Sequence, residues 1–223
     1  MNPSQVFTQL PAAVGRSVID FLYSPALGAH PERLSAWVPA GIDPAQPGPA
    51  RTLVSLLGAA GAELDPGQVL HRVALLPHPQ LSQLARRAAT DTLAWALRRV
   101  VRNTELARLD EWLTQDDWHR VYQTPLGHPL ADRRMAGDID TLIRALQHVG
   151  WHLIERAADA LPRALSLRLL LKCPPVDAAS VPAFDSGDLD EVDVIVQSYS
   201  GWVSSAIPDW DGALAALAAR SGV

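Results

Sequence analysis

Two histidines at helical spacing are the first candidates for chemistry in this sequence. His148 and His152 lie four residues apart in an apolar segment, so on a helix their imidazoles would share one face and could ligate one metal. The metalloprotease pattern requires a glutamate directly after the first histidine, but Val149 occupies that position and no third ligand is apparent. We therefore expect no metal site here, an interface or partly buried role for these two histidines, and a structural role for the other five.

Nucleophiles and phosphate-binding loops lack the sequence context that they need. No serine lies in a G-x-S-x-G turn, and the single cysteine, Cys173, precedes two prolines without a basic cluster that would activate its thiol. The glycine-rich motifs that cradle nucleotide phosphates are absent from the sequence. The sequence thus predicts no enzymatic activity and no cofactor. An enzyme with an unrecognised helical active site around His148 and His152 is the third and weakest of the functions that we consider; the two stronger ones follow from a family resemblance described below.

Composition and charge narrow the class of protein further. The 223 residues are 48% hydrophobic, which is enough for a folded core without disulfides. With 24 acidic and 19 basic residues and no dense basic run, the chain is a poor candidate for nucleic-acid binding. We expect a cytoplasmic protein, because the first 21 residues do not resemble a secretory signal and no apolar run is long enough to span a membrane.

The periodicity of apolar residues is helical over most of the chain. It predicts a long helix over 77–103, shorter helices over 104–114 and 117–122, and one or two helices over 132–161, with Gly150 as the break between them. After Pro162, leucines at 165, 167, 169 and 171 alternate with other residues, which favours a short strand or two near 163–173. The predicted fold class is mainly α, a compact multi-helix domain.

We interpret the chain as a single domain over 1–223. Two stretches without a helical pattern interrupt it. Residues 39–50 contain four prolines and are predicted to be a loop. Residues 173–187 are rich in Pro, Ser and Ala, and we predict that they connect the body to an acidic C-terminal helical segment. Residues 1–172 carry 18 basic and 16 acidic side chains, a net charge of +2, whereas 173–223 carry eight acids and one arginine, a net charge of −7.

This charge asymmetry suggests where partners would bind. An arginine-rich helix near 86–102 and a distant acidic segment can present opposite potentials to two partners, although they could instead pair with each other inside the fold. Seven tryptophans among 13 aromatic residues also exceed what a core needs, so we expect some of them to face partners. The candidate partner-binding residues are Arg98, Arg99, Arg102, Asp188, Asp190 and Glu191.

Three segments carry a resemblance to a known family. They are FLYSPALGAHPERL at 21–34, LLPHPQLSQLARRAATDTLAWAL at 75–97 and HVGWHLIERAADALPRALSLRLLLKCP at 148–174. In this order and with these separations they resemble the YscK/SctK family of bacterial type III secretion. The likeness covers about two thirds of the chain, and its most specific part is the Ser-Leu-Arg-Leu stretch at 166–169.

The resemblance implies a non-enzymatic helical adaptor of the cytoplasmic sorting platform. Such an adaptor links the cytoplasmic domain of the inner-membrane ring protein to the pod-forming platform protein, and it reaches the membrane only through its partner. The proline-rich stretch at 39–50 and the acidic C-terminal quarter depart from the family, so no binding residue is carried over. The second alternative is a type III secretion chaperone or another helical regulatory binding protein.

Overall fold

The chain is mainly helical. The computed structural model describes residues 12–58, 63–65, 67–125, 138–176 and 191–206. These residues form ten α-helices and one 3-10 helix, which confirms the predicted fold class. In chain order the elements are α1 (Ala12–Tyr23), the 3-10 helix (Pro25–Gly28), α2 (Pro31–Ser35), α3 (Pro47–Leu57), α4 (Val69–Leu75), α5 (His78–Leu97), α6 (Asn103–Leu109), α7 (Gln115–Gln123), α8 (Ile139–Asp159), α9 (Arg163–Lys172) and α10 (Glu191–Ala206).

Prolines set the start of three short N-terminal elements. The 3-10 helix, α2 and α3 begin at Pro25, Pro31 and Pro47, where a missing N–H costs nothing because the first turn of a helix has no internal acceptor for it. The predicted loop over 39–50 therefore ends early, since Pro47 opens α3. This helix stops at Gly58, whose φ of 80° is a left-handed conformation that glycine adopts without strain.

Two compact units make up the chain. Unit 1 comprises Met1–Leu81, Ala157–Pro175 and Ser198–Val223, and unit 2 comprises Ser82–Arg156 and Val176–Gln197. In unit 1, α9 packs against α2, α3, α4 and the 3-10 helix. Part of its core is Leu53, Leu57 and Leu171, with Leu34 and Leu167 packed against them. Helix α9 is therefore the element on which the short helices of unit 1 assemble.

The strand predicted near 163–173 is wrong, because this segment is α9. Its deeply buried side chains include Leu165, Arg168, Leu169 and Lys172, which follow the i, i+3, i+4, i+7 spacing of a helix face. Leucine recurs so often here that alternate positions look apolar by coincidence, and the stretch has none of the β-branched residues that favour strands. On a strand Arg168 would lie on the face opposite these alternating leucines, whereas in the helix it is only 1% exposed.

In unit 2, buried polar groups join α5 to α7. Asp91 of α5 is 1% exposed and accepts hydrogen bonds from Arg120 Nε at 2.8 Å and Nη2 at 2.6 Å. Thr114 caps α7 by accepting from the backbone N–H of Asp117, whose carboxylate in turn accepts from the Thr114 backbone. Burial tends to raise the pKa of Asp117, but hydrogen bonds from Thr114 and Arg86 outweigh it and lower that pKa. These pairs fix α7 beside α5.

Gly150 does not break the helix over 132–161 as predicted. Helix α8 runs without interruption from Ile139 to Asp159. A Cβ atom at Gly150 would lie 1.8 Å from the carbonyl oxygen of Ala85, so the missing side chain allows α8 to approach the backbone of α5. This glycine serves close helix packing rather than helix termination.

The acidic C-terminal quarter is described only in part. Of the predicted connector over 173–187, residues 173–176 are described and are not helical, and the rest lies outside the described residues. Helix α10 corresponds to the acidic helical segment. Apolar residues at helical spacing after Pro208 also predict a final helix, and this part of the chain lies outside the described residues.

Candidate protein-docking surface

Arg98, one of the predicted partner-binding residues, is held inside unit 2. Helix α5 ends at Leu97, so this arginine lies just beyond the helix, although the predicted helix extended to residue 103. Its Nε donates to the carbonyl oxygen of Val121 at 2.8 Å, and its Nη2 donates to the carbonyls of Val121 and Thr124. These carbonyls belong to the C-terminal end of α7, where a cation is favoured by the helix dipole. Arg98 therefore supports the fold of unit 2.

The neighbouring arginines are on the surface of unit 2. Arg99 is exposed, and its guanidinium carbon lies 4.5 Å from the centroid of the Trp95 ring. Arg102 is also exposed and contacts Glu105 at 3.4 Å, an ion pair of small energetic value. A test of this basic surface would therefore change Arg99 and Arg102 while keeping Arg98.

The structure describes only one of the three acidic residues predicted to bind partners. Glu191 is the first residue of α10. Asp188 and Asp190 lie outside the described residues. The acidic part of the predicted partner-binding set therefore stays a prediction.

Arg168, in the Ser-Leu-Arg-Leu stretch, has a structural function in unit 1. Its Nη1 donates to the carbonyls of Leu57 at 3.2 Å and Ala164 at 3.0 Å, and its Nη2 donates to those of Gly58 at 2.8 Å and Leu22 at 3.4 Å. One guanidinium thus serves the C-terminal ends of both α1 and α3. Burial lowers the pKa of Arg168. The residue joins these two helices to α9.

Lys172 serves the next helix in the same way. Its Nζ donates to the carbonyls of Ala74 at 2.8 Å and Leu76 at 2.9 Å, at the C-terminal end of α4, and lies 4.9 Å from the centroid of the Phe21 ring. Burial lowers its pKa from 10.5 to about 7, although Cys173 and Asp20 act in the opposite direction. A neutral amine keeps two N–H donors, enough for both carbonyls.

The buried lysine makes unit 1 more stable at mildly alkaline pH. Between about pH 7 and 10 the unfolded chain still holds the proton that folded Lys172 has lost, so the free energy of unfolding rises with pH by on the order of 1 kcal/mol per unit. We expect the variant Lys172→Met to lose this slope. Urea titrations of both proteins across this window measure it, with Cys173→Ala in both because the Cys173 side chain acts on the pKa of Lys172. Parallel pH profiles would contradict the expectation.

A row of three adjoining indentations crosses the surface of unit 1. The first has a volume of about 240 Å³ and is lined by Asp20, His78 and Lys172 among others. The second, of about 80 Å³, shares Ser24, Pro25 and Leu27 with the first. The third, of about 220 Å³, shares Leu53 with the second and is lined by Trp37, Ile42 and Leu56. We call these three indentations the unit 1 furrow.

Much of the unit 1 furrow is apolar and exposed. Leu27 is 67% exposed, Leu56 55%, Ile42 44% and Trp37 38%. No charged residue lines the second or third indentation. Large apolar side chains that cluster in exposed positions are typical of a protein-binding surface. The furrow is thus the candidate docking surface of unit 1.

The furrow residues were missed at the level of sequence, although a weak signal exists. In α3, Leu53 and Leu57 are buried at i and i+4, which accounts for one inward face. Leu56 lies on a different face and is a surplus apolar residue that this pattern does not explain. Trp37 and Trp112 are the exposed tryptophans of the described residues. The expectation that some tryptophans face partners stays a prediction.

The described residues provide neither a metal-binding cluster nor a membrane-spanning helix. No group of three or more His, Cys, Asp or Glu among the described residues could hold a metal ion. None of the described helices is long and apolar enough to cross a lipid bilayer. Comparisons of the chain with protein-family models, with characterised proteins and with solved structures find no match.

Proposed function

We propose that this protein is a non-enzymatic adaptor of the type III secretion sorting platform. It would link the cytoplasmic domain of the inner-membrane ring protein to the pod-forming platform protein, at the cytoplasmic face of the inner membrane. The unit 1 furrow is the observation that carries the proposal, because an adaptor acts through surfaces that bind other proteins. Exposed apolar side chains in contiguous indentations provide such a surface.

The resemblance to the YscK/SctK family supports this proposal from a second direction. The segment at 21–34 forms the end of α1, the 3-10 helix and most of α2, and it supplies Ser24, Pro25 and Leu27 to the furrow. The segment at 148–174 supplies α9, whose Arg168 and Lys172 hold the helices beneath the furrow. The segment at 75–97 supplies Leu75, Pro77, His78 and Pro79 to the first indentation, so all three segments that carry the resemblance contribute to the candidate docking surface.

The substitution Leu56→Asp tests the proposal. Leu56 is more than half exposed, so the variant should fold, but its carboxylate would be desolvated in an apolar interface. We expect the affinity for either the ring-protein domain or the pod-forming protein to fall by about tenfold or more. Isothermal titration calorimetry with each purified partner measures both affinities.

A matched control comes from the other unit. Val101 of unit 2 is 78% exposed, so Val101→Asp places the same charge on an apolar surface residue outside the furrow. This control should bind the partner at the furrow with unchanged affinity. If neither partner binds the unmodified protein, the adaptor function is refuted. If Leu56→Asp and the control bind both partners equally well, the furrow is not the surface through which the adaptor binds them.

A further inference from the structure

We propose that the unit 1 furrow binds a protein segment with large apolar side chains and one basic residue, and that this basic residue pairs with Asp20. The inference rests on the proposed function in treating the furrow as a docking surface, and it adds the chemistry of the segment that docks there. The basic residue would lie at the α1 end of the furrow, and the apolar side chains would occupy the indentations beside α3.

Asp20 provides a negative charge at one end of the furrow. It lines the first indentation and is half-buried. Its charge acts on the pKa of Lys172, but within the described part of the chain its carboxylate forms no hydrogen bond and no ion pair. A half-buried carboxylate without a hydrogen-bond donor gains more from an incoming guanidinium or ammonium than a fully solvated one does.

The basic side chains that line the same indentation as Asp20 contact other groups. Lys172 lines the same indentation, but its Nζ donates to the carbonyls of Ala74 and Leu76 and lies over the Phe21 ring. His78 Nδ1 lies 3.1 Å from the carbonyl oxygen of Lys172. Neither side chain is paired with the carboxylate of Asp20. The charge of this end of the furrow is therefore complementary to a basic residue supplied by a partner.

The opposite end of the furrow is complementary to apolar side chains. Trp37, Ile42 and Leu56 line the third indentation, whose volume of about 220 Å³ can accommodate large side chains. The neighbouring charged residues Glu32 and Asp43 are exposed and do not line it. A charged partner residue would lose its hydration there without gaining a counter-ion, so this end selects against charge.

Selection of random peptides tests the inference without presupposing a partner. A phage-displayed library of random peptides is selected on the full-length protein, and enriched sequences are synthesised for affinity measurement. We expect the enriched peptides to share several large apolar residues and an arginine or lysine to one side of them. Absence of enrichment over an unrelated control protein would refute the inference.

Charge reversal tests the pairing with Asp20. Asp20→Lys should weaken the enriched peptides by about tenfold or more, and replacing their basic residue by glutamate should restore binding to this variant. Asp20→Asn, which is nearly isosteric, should remove the preference for a basic residue. Glu111→Lys, at an exposed carboxylate of unit 2, is the control and should bind as the unmodified protein does. Peptides that bind all these variants equally would refute the role of Asp20.

The peptide experiment and the partner titrations can fail separately. If the peptides behave as expected but neither secretion partner binds, the furrow is a docking surface and the assigned adaptor function is wrong. If both partners bind through the furrow but the Asp20 variants show no charge dependence, the adaptor function holds and the stated chemistry of the segment is wrong.

Discussion

Replacing Gly150 by alanine should lower the free energy of unfolding by about 3 kcal/mol, a large effect for the addition of one methyl group. The added Cβ would lie 1.8 Å from the carbonyl oxygen of Ala85 and 2.5 Å from its carbonyl carbon. Both contacts are with backbone, which cannot rotate away as a flexible side chain can. Helices α5 and α8 would have to separate, and the core between them would lose its close packing.

A second helical glycine provides the control for this effect. Gly201 of α10 is exposed, and no atom lies within 4 Å of the position that its Cβ would occupy. Gly201→Ala should therefore leave stability unchanged or raise it by up to about 1 kcal/mol, because alanine favours the helix. Urea denaturation followed by circular dichroism compares the two variants. Similar effects of both substitutions would show that α5 and α8 are not in close contact.

The second large effect is expected for Arg168→Met. Methionine fills a similar volume but donates no hydrogen bonds, so the carbonyls of Leu22, Leu57 and Gly58 would lose the guanidinium that they share. Buried acceptors without donors are costly, and we expect a loss of on the order of 3 kcal/mol in the free energy of unfolding. The same denaturation measurement detects it.

Arg102→Met is the matched control for the buried arginine. Arg102 is exposed and has one contact of 3.4 Å with Glu105, so its replacement should change stability by no more than about 0.5 kcal/mol. If Arg168→Met were equally mild, the carbonyls at the ends of α1 and α3 would have to be satisfied by water. The central function assigned to this arginine would then be incorrect.

The sequence allowed the helical architecture to be predicted because long amphipathic patterns leave few alternatives. Helix α5 was expected over 77–103 and forms over 78–97, so its existence was predictable and its end was not. The strand prediction for the segment after Pro162 was wrong because closely spaced leucines fit the pattern of a strand and that of a buried helix equally well. Only the packing of α9 against its neighbours in unit 1 distinguishes the two.

The structural roles of individual arginines could not be predicted from the spacing of apolar and charged residues. Arg98 resembled the exposed Arg99 and Arg102, yet it donates to carbonyls 23 and 26 residues further along the chain. A long side chain can reach a helix end that only the fold brings near, and an amphipathic pattern contains no such information. For the same reason Arg168 looked like a surface residue of a strand.

The furrow could not be predicted because it depends on the relative placement of short elements. Leu27, Trp37 and Leu56 belong to three different parts of the first 57 residues, joined by turns and prolines. Each is unremarkable as an isolated exposed apolar residue. Their clustering arises from the way in which α3 and the 3-10 helix pack on α9.

The burial of Lys172 has a practical consequence for studying assemblies of this protein. It is the sole lysine of the sequence, and it is 6% exposed. Amine-reactive cross-linkers will therefore find no lysine on the folded surface, and mapping of neighbours will need reagents for carboxylates or aromatic rings. For the same reason, the rate at which the Lys172 amine is acylated should report how often α9 separates from α4 in the folded protein.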